Sequence, residues 1–426
     1  MGLHLTSIWW YFGVMLVVVF LASLLAKKIP FFRKIVESEQ SERFEALDGL
    51  RGFLAIGVLF QHAIQNYEFF QRGFWEITDD RFYRFLGGEA VILFFITTSF
   101  LYWSKLLAKS DGVGMFRLYK SRLLRLAPLY LFAGLVVGIV ALWNTGFEIS
   151  SVGVLFRDIF YWMTLGLKTI TSFNGYEIVP INAGIHWTLH YEWVFYLILP
   201  LIALLYKNKF GKFVSVGILA LFLVLPDRGY WAIFLFGIIA AYIVHYYPSV
   251  PFFKKYPWSG ILPILGLMAV YFIQYKPYSY SQYAVSMLVF LCFVYGNNLW
   301  GLLKIPAAKF LSTISYSIYL LHGIVLYFVL RFVNLQYPIT SFGPKTYWFV
   351  VCLAAILVII ISAVTYRFIE RRNIVVSLIA ILAAIFLTAF FIYKNQGLKS
   401  RMADREEFIE YFDNSVPDFN YSEHQK

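Results

Sequence analysis

Chemistry-bearing side chains recur in this chain inside segments apolar enough for hydrocarbon. In LDGLRGFLAIGVLFQHA, residues 47–63, the acid Asp48, the guanidinium of Arg51 and the imidazole of His62 share one apolar run. On a helix, residues eleven apart lie within about 20° of the same face and about 16 Å apart along the axis. Asp48, Arg51 and His62 therefore form one stripe. A charged group at the bilayer centre costs about 2.5–3.5 kcal/mol on insertion scales, and a group kept there at that cost is read as functional. In FRLYKSRLLRLAPLY, residues 116–130, Arg122 and Arg125 are three apart and point the same way. Paired arginine forks suit phosphate. A loop that only sets topology would carry the same charge, but this loop and Arg51 fall at the same end of their helices.

Two further segments hold candidates. HWTLHYEWVFYLILP, residues 186–200, places His186 and His190 four apart with Glu192 nearby, a composition that raises a zinc site. Glu192 is about 200° round the helix from His190, on the opposite face, which argues against a metal triad. Glu192 then reads as a positioning carboxylate, a proton partner, or a brace for a buried Arg or Tyr. In ISYSIYLLHG, residues 314–323, Ser315, Tyr319 and His322 make one polar stripe. It fits interhelical hydrogen bonding and the lining of a substrate tunnel equally well.

The elements that must position these groups are transmembrane helices. The 426 residues are 60% hydrophobic and 14% charged, where a soluble domain carries roughly a quarter charged residues. Apolar runs long enough to span recur along the whole length. The pattern predicts an all-α, polytopic transmembrane helix bundle of about 12 helices. Spans are expected near 8–26, 47–67, 85–104, 126–143, 187–206, 213–226, 229–246, 259–275, 280–299, 311–333, 346–366 and 374–393. Residues 151–168 are apolar but contain Arg157 and Asp158, and are expected to lie at the outer interface or re-enter rather than span. The two cysteines, Cys292 and Cys352, fall inside spans and imply neither a disulfide framework nor a metal site.

The formal charge of +12 does not point to nucleic acid, because the basic residues cluster in short loops between apolar spans. The first run has no basic residue before it and Lys27, Lys28, Arg33 and Lys34 after it, the reverse of a secretory signal. It reads as a retained helix with its N-terminus outside. With that start, 21 of the 36 Lys and Arg fall in cytoplasmic loops, as the positive-inside rule requires. Both termini are then extracytoplasmic, and Arg51, Arg122 and Arg125 lie towards the cytoplasm with His62 towards the outside.

Five stretches taken in order, LDGLRGFLAIGVLFQHA, FFITTSFLYW, RLLRLAPLY, WTLHYEWVFYLILP and ISYSIYLLH, resemble the acyltransferase-3 family of integral membrane acyltransferases. The resemblance covers roughly residues 44–372. Thr188 stands where that family usually has Ser, and Ile96-Thr97-Thr98-Ser99 replaces its common VLSG. It implies a membrane domain at 44–372, preceded by an extra helix and basic linker at 1–43. A final helix at 373–393 and a polar tail at 394–426 follow, the tail being too short for an appended esterase-like domain.

The resemblance further implies transfer of an acyl group, usually acetyl, from cytoplasmic acetyl-CoA (acyl-CoA) to a hydroxyl of an extracytoplasmic glycan or lipid-linked saccharide. Lipopolysaccharide O-antigen is the type case, in a multi-pass protein of the bacterial inner membrane, with membrane lipid around it and no metal. Carried over residue by residue, Arg51 and His62 match the family's first-helix arginine and histidine, Arg122 and Arg125 its Arg-x-x-Arg pair on the acyl-CoA side, and Glu192 the acid of its tryptophan motif. With the residues' own pattern added, the expected catalytic set is His62, Glu192 and Asp48, the last orienting Arg51. Arg51, Arg122 and Arg125 are expected to bind the donor, and Ser315, Tyr319 and His322 are the candidates for the tunnel lining. An imidazole mostly neutral at pH 7 can deprotonate the acceptor or carry the acyl group itself. The competing class is a proton-coupled transporter or acyl-group exporter without its own chemistry, which intramembrane His, Glu and Arg also suit. Against it, the hydrophobic segments show no inverted repeat.

Overall fold

The computed structural model describes residues 4–37, 44–108, 112–205, 209–224, 229–273 and 278–371. The expected final helix at 373–393 and the tail at 394–426 lie outside the described residues. The described chain is a helical bundle: α1 (Ile8–Lys28), α2 (Pro30–Glu37), α3 (Glu45–Arg72), α4 (Arg81–Ala108), α5 (Gly112–Asn144), α6 (Val152–Met163), α7 (Val179–Asn182), α8 (His186–Leu205), α9 (Lys209–Val224), α10 (Tyr230–Tyr246), α11 (Trp258–Ile273), α12 (Tyr280–Val294), α13 (Pro306–Thr313), α14 (Ser315–Gln336) and α15 (Pro344–Thr365). A two-residue hairpin, Ser172–Phe173 against Tyr176–Glu177, lies between α6 and α7. Among the described residues, six helices are long and apolar enough to cross a membrane: α1, α3, α4, residues 120–144 of α5, α14, and α15 with its extension to Glu370.

Length explains where polar groups can sit. At 28 residues α3 rises about 42 Å, more than the roughly 30 Å hydrocarbon thickness, so both its ends reach the headgroups. At its first turn Glu45 accepts from Lys304 Nζ at 2.8 Å and Lys309 Nζ at 2.7 Å, which marks the basic end of the bundle. At the other end the 73–80 connection is latched by Arg72–Asp79 at 2.6 Å and by Thr78 Oγ1 donating to Glu68 Oε1 at 2.7 Å.

The span expected at 311–333 is two helices, with a break at Ile314 where ψ turns to 11°. The short α13 is buried against α1 and α3. Glycine makes this approach: a Cβ at Gly52 would lie 2.7 Å from both Leu311 Cβ and Ser312 N, and one at Gly49 would strike the Leu303 carbonyl. Gly52→Ala is expected to destabilise the bundle by about 1–3 kcal/mol, the usual cost of overpacking. A lower thermal unfolding midpoint in detergent checks this, and an unchanged midpoint would mean α3 and α13 part freely.

Residues 151–168 do not form a span. Helix α6 has 12 residues and rises about 18 Å, too little to cross hydrocarbon. Val152, Phe156, Ile159, Phe160 and Met163 make its exposed apolar face, while Asp158 and Trp162 are buried. The buried side is pinned by the Asn174 amide donating to Asp158 Oδ2 at 3.0 Å and by Trp162 Nε1 donating to the Tyr130 carbonyl at 3.3 Å. This is the build of a helix lying in the membrane interface. The first helix belongs to the bundle too: Trp348 Nε1 donates to the Leu5 carbonyl at 2.8 Å and Tyr83 to that of Ser7 at 3.3 Å.

Candidate active site

Four helices that supply the sequence-derived candidates converge on one cavity. It encloses about 860 Å³, mouth included, and is lined by Arg51 of α3, Thr98 and Tyr102 of α4, Arg122 and Arg125 of α5, Thr188, Glu192 and Tyr196 of α8, and Ser315 and Tyr319 of α14. Arg51, Arg122, Arg125, Glu192, Ser315 and Tyr319 are thus brought together, although four separate helices carry them. Glu192 shares the cavity with the three arginines. Its Oε1 accepts from Thr98 Oγ1 at 3.2 Å and its Oε2 from the Tyr196 hydroxyl at 3.2 Å. The Arg122 guanidinium lies 5.7 Å from the centre of the Tyr102 ring. Asp48 is half-buried in the first turn of α3 and does not line the cavity.

His62 and His322 do not line it either; they form a pair of their own. His62 Nδ1 and His322 Nε2 are 2.8 Å apart, and the two rings are nearly coplanar, 16° between planes. His322 Nδ1 is 3.1 Å from the Ile318 carbonyl. A carbonyl only accepts, so in the neutral ring Nδ1 of His322 carries the proton and Nε2 accepts. His62 must then donate from Nδ1, which leaves its Nε2 as the basic nitrogen. Trp75, in the latched 73–80 connection, stacks over His62 with 6.3 Å between centroids. Tyr319 joins the pair to the cavity, its ring 6.1 Å from that of His322. Thr188 Oγ1 donates to the Ile185 carbonyl at 3.0 Å, so the Tyr319 hydroxyl, 2.7 Å from Thr188, is the donor between those two.

The histidines of 186–200 go separate ways. His186 Nε2 meets Asn182 Nδ2 at 2.9 Å, and His190 Nδ1 meets the Leu167 carbonyl at 3.0 Å, while Glu192 turns into the cavity.

A family model described as an acyltransferase domain matches residues 44–367, three-quarters of the chain and every helix that builds this site. The chain belongs to the acyltransferase-3 family. The O-acetyltransferases OatA of Staphylococcus aureus strains NCTC 8325 / PS 47, COL and MRSA252 are each 25% identical to it over 387 residues. The match takes in 80% of this chain and 58% of each relative, so the chain spans less than two-thirds of the length of these proteins. No solved structure matches it.

Against the usual pattern of the acyltransferase-3 family, the two departures have local explanations. The Ser99 hydroxyl turns back onto its own helix, donating to Phe95 and Ile96 carbonyls at 2.9 and 3.2 Å, and Gly237 of α10 leaves room for it. Thr188 keeps a hydroxyl where serine is usual and spends it on Ile185 and Tyr319.

Two buried carboxylates escaped the sequence reading. Glu89 of α4 accepts from Ser286 Oγ at 3.0 Å and Gln282 Nε2 at 3.4 Å. Glu370 accepts from Arg125 Nε at 3.0 Å and Ser317 Oγ at 2.8 Å. The rule that singled out His62, an ionisable group inside a span, applied to Glu89 as well. Glu370 lay past the expected end of its span at 366.

Proposed function

We propose that this chain is a membrane O-acyltransferase that moves an acetyl group from acetyl-CoA on the cytoplasmic side to a glycan hydroxyl on the other side. The acceptor class is a surface polysaccharide or its lipid-linked precursor, such as lipopolysaccharide O-antigen, in a bacterial inner membrane. The observation that carries the reading is the His62–His322 pair beside an arginine-lined cavity. Likeness to the staphylococcal O-acetyltransferases supports acetyl as the group and oxygen as its destination.

The chemistry follows from the groups present. Phosphates of CoA stay out of hydrocarbon and suit the forks of Arg51, Arg122 and Arg125. The slim pantetheine arm then extends past Tyr319 towards His62, a depth of about 16 Å from Arg51 by helical rise. His62 Nε2 takes the proton of the acceptor hydroxyl as its oxygen attacks the thioester carbonyl. Collapse of the tetrahedral adduct breaks the C–S bond, and the leaving thiolate takes that proton from Nε2. In the relayed version Nε2 itself attacks the thioester carbonyl and the C–S bond breaks to release CoA thiolate. The hydroxyl then attacks the acyl-imidazole, breaking the N–acyl bond as its proton passes to the thiolate. Both versions need Nε2 unprotonated, the state that the His322 relay favours.

The test is transfer of label. Purified protein in vesicles, given radiolabelled acetyl-CoA on the basic side and polysaccharide on the other, should make acid-stable, alkali-labile acetyl ester on the glycan. Label that crosses without becoming covalently attached would establish the transporter class instead.

Sidedness is tested separately. With Cys292 and Cys352 replaced, an impermeant thiol reagent on cells with permeabilised outer membrane should label Glu148→Cys and spare Lys255→Cys, both exposed positions. The reverse pattern would place the arginine cavity on the outside and remove the cytoplasmic donor.

A further inference from the structure

Helix α15 does not simply stop at Thr365. Its last turn continues as a five-residue π-helix, Tyr366–Glu370. Such wide turns are rare and concentrate at functional sites. The wider turn carries Glu370 into the bundle, where its side chain is 1% exposed. There one carboxylate oxygen accepts from Arg125 Nε at 3.0 Å and the other from Ser317 Oγ at 2.8 Å. Arg125 belongs to α5 and Ser317 to α14, so Glu370 ties three helices together behind the cavity wall. Arg125 itself lines the cavity and is 27% exposed.

We infer that Glu370 is a positioning residue for the acyl donor: it fixes the guanidinium of Arg125 so that it is already placed for a phosphate of CoA. The inference rests on the reading that this cavity holds CoA phosphates. A guanidinium bonded through Nε has its plane set before ligand arrives, and binding then does not have to immobilise a long side chain. Ser317 in turn fixes the carboxylate, since it takes the oxygen that Arg125 Nε does not. The arrangement also explains why a buried carboxylate is tolerated here: it has both a cationic and a neutral donor.

Two effects oppose each other when Glu370 is made neutral. Removing a negative charge near Arg125 favours an anion, while freeing the side chain costs ordering on binding. The carboxylate stands behind the cavity wall and the loss of order is local to the ligand's own partner, so the second effect dominates. Glu370→Gln, which keeps size and one acceptor oxygen, should weaken CoA binding about 3- to 10-fold. Ser317→Ala, a milder change that keeps the charge, should act in the same direction and less. In an Arg125→Ala background Glu370→Gln should change binding by less than twofold, because a residue acting only through Arg125 has nothing left to act through.

The measurement is CoA-dependent thermal stabilisation of the full-length protein in detergent, paired with the split between donor KM and acceptor KM. A raised donor KM with unchanged acceptor KM, together with non-additivity in the Arg125→Ala background, supports the inference. Additive losses, equal rises in both KM values, or CoA binding as tight as wild type or tighter in Glu370→Gln overturn it while leaving the donor cavity standing. Failure of wild-type protein to respond to CoA overturns the donor reading and the inference with it. Should Glu370→Gln not yield monodisperse protein, Ser317→Ala alone and in the Arg125→Ala background decides by the same criteria.

Discussion

His62→Ala lowers kcat for acyl transfer by about 10²–10⁴-fold, the usual worth of a positioned general base, while the protein remains folded and still binds CoA. The expectation rests on the separation in the structure: His62 does not line the arginine cavity, so removing it should spare donor binding. His322→Phe is the sharper test, because it keeps a flat ring near the same volume and removes the acceptor nitrogen 2.8 Å from His62 Nδ1. Without that acceptor the proton of His62 is free to sit on either nitrogen, and the imidazolium formed during transfer loses the partner that stabilises it. A kcat loss with unchanged CoA affinity is expected from His322→Phe, smaller than that of His62→Ala and not additive with it. Wild-type kcat in His322→Phe would show that the pair is packing. Comparable transfer by His62→Ala at equal protein level would remove His62 from the chemistry altogether.

How much of this was legible beforehand follows from what each signal measures. Hydropathy reads the solvent a segment faces, and the bilayer is a uniform solvent, so the expected spans of α1, α3, α4, α5, α8 and α15 fall on their helices. It cannot see a break inside an apolar run, and Ile314 interrupts this one among Ser, Thr, Ile and Tyr, residues that weaken a helix without the plain stop signal of a Pro or Gly. Helical periodicity placed Arg51 and His62 on one stripe, but it is silent about partners on other helices. His322 is 260 residues from His62 and Glu370 is 245 from Arg125. Single residue types did carry some of that information: a carboxylate or imidazole in hydrocarbon needs a partner, and Glu89, inside an expected span, is the place where that argument applied. Glu370 was out of its reach: a span ending near 366 leaves it in the loop, whereas the helix continues through a π-turn to Glu370.

Arg122→Ala and Arg51→Ala should each weaken CoA binding by about 10- to 150-fold, which corresponds to losing one charge-assisted hydrogen bond of about 1.5–3 kcal/mol. Arginine stays charged throughout the working pH range, so the loss should hold across that range. The cavity that both line has three arginines and one carboxylate, Glu192, among its walls. This balance gives Glu192 a prediction of opposite sign. Glu192→Gln keeps size and one acceptor oxygen, enough for one of the two hydrogen bonds from Thr98 and Tyr196, but removes the one carboxylate that lines the cavity. It should therefore tighten CoA binding severalfold while slowing turnover, because a donor held more firmly leaves more slowly and the cavity is no longer tuned to release the thiol product. Isothermal titration with CoA, alongside steady-state rates for the same preparations, separates the two effects. Weaker CoA binding in Glu192→Gln would mean that Glu192 braces the arginines rather than offsetting their charge. Unchanged binding in both arginine variants would move the donor out of this cavity.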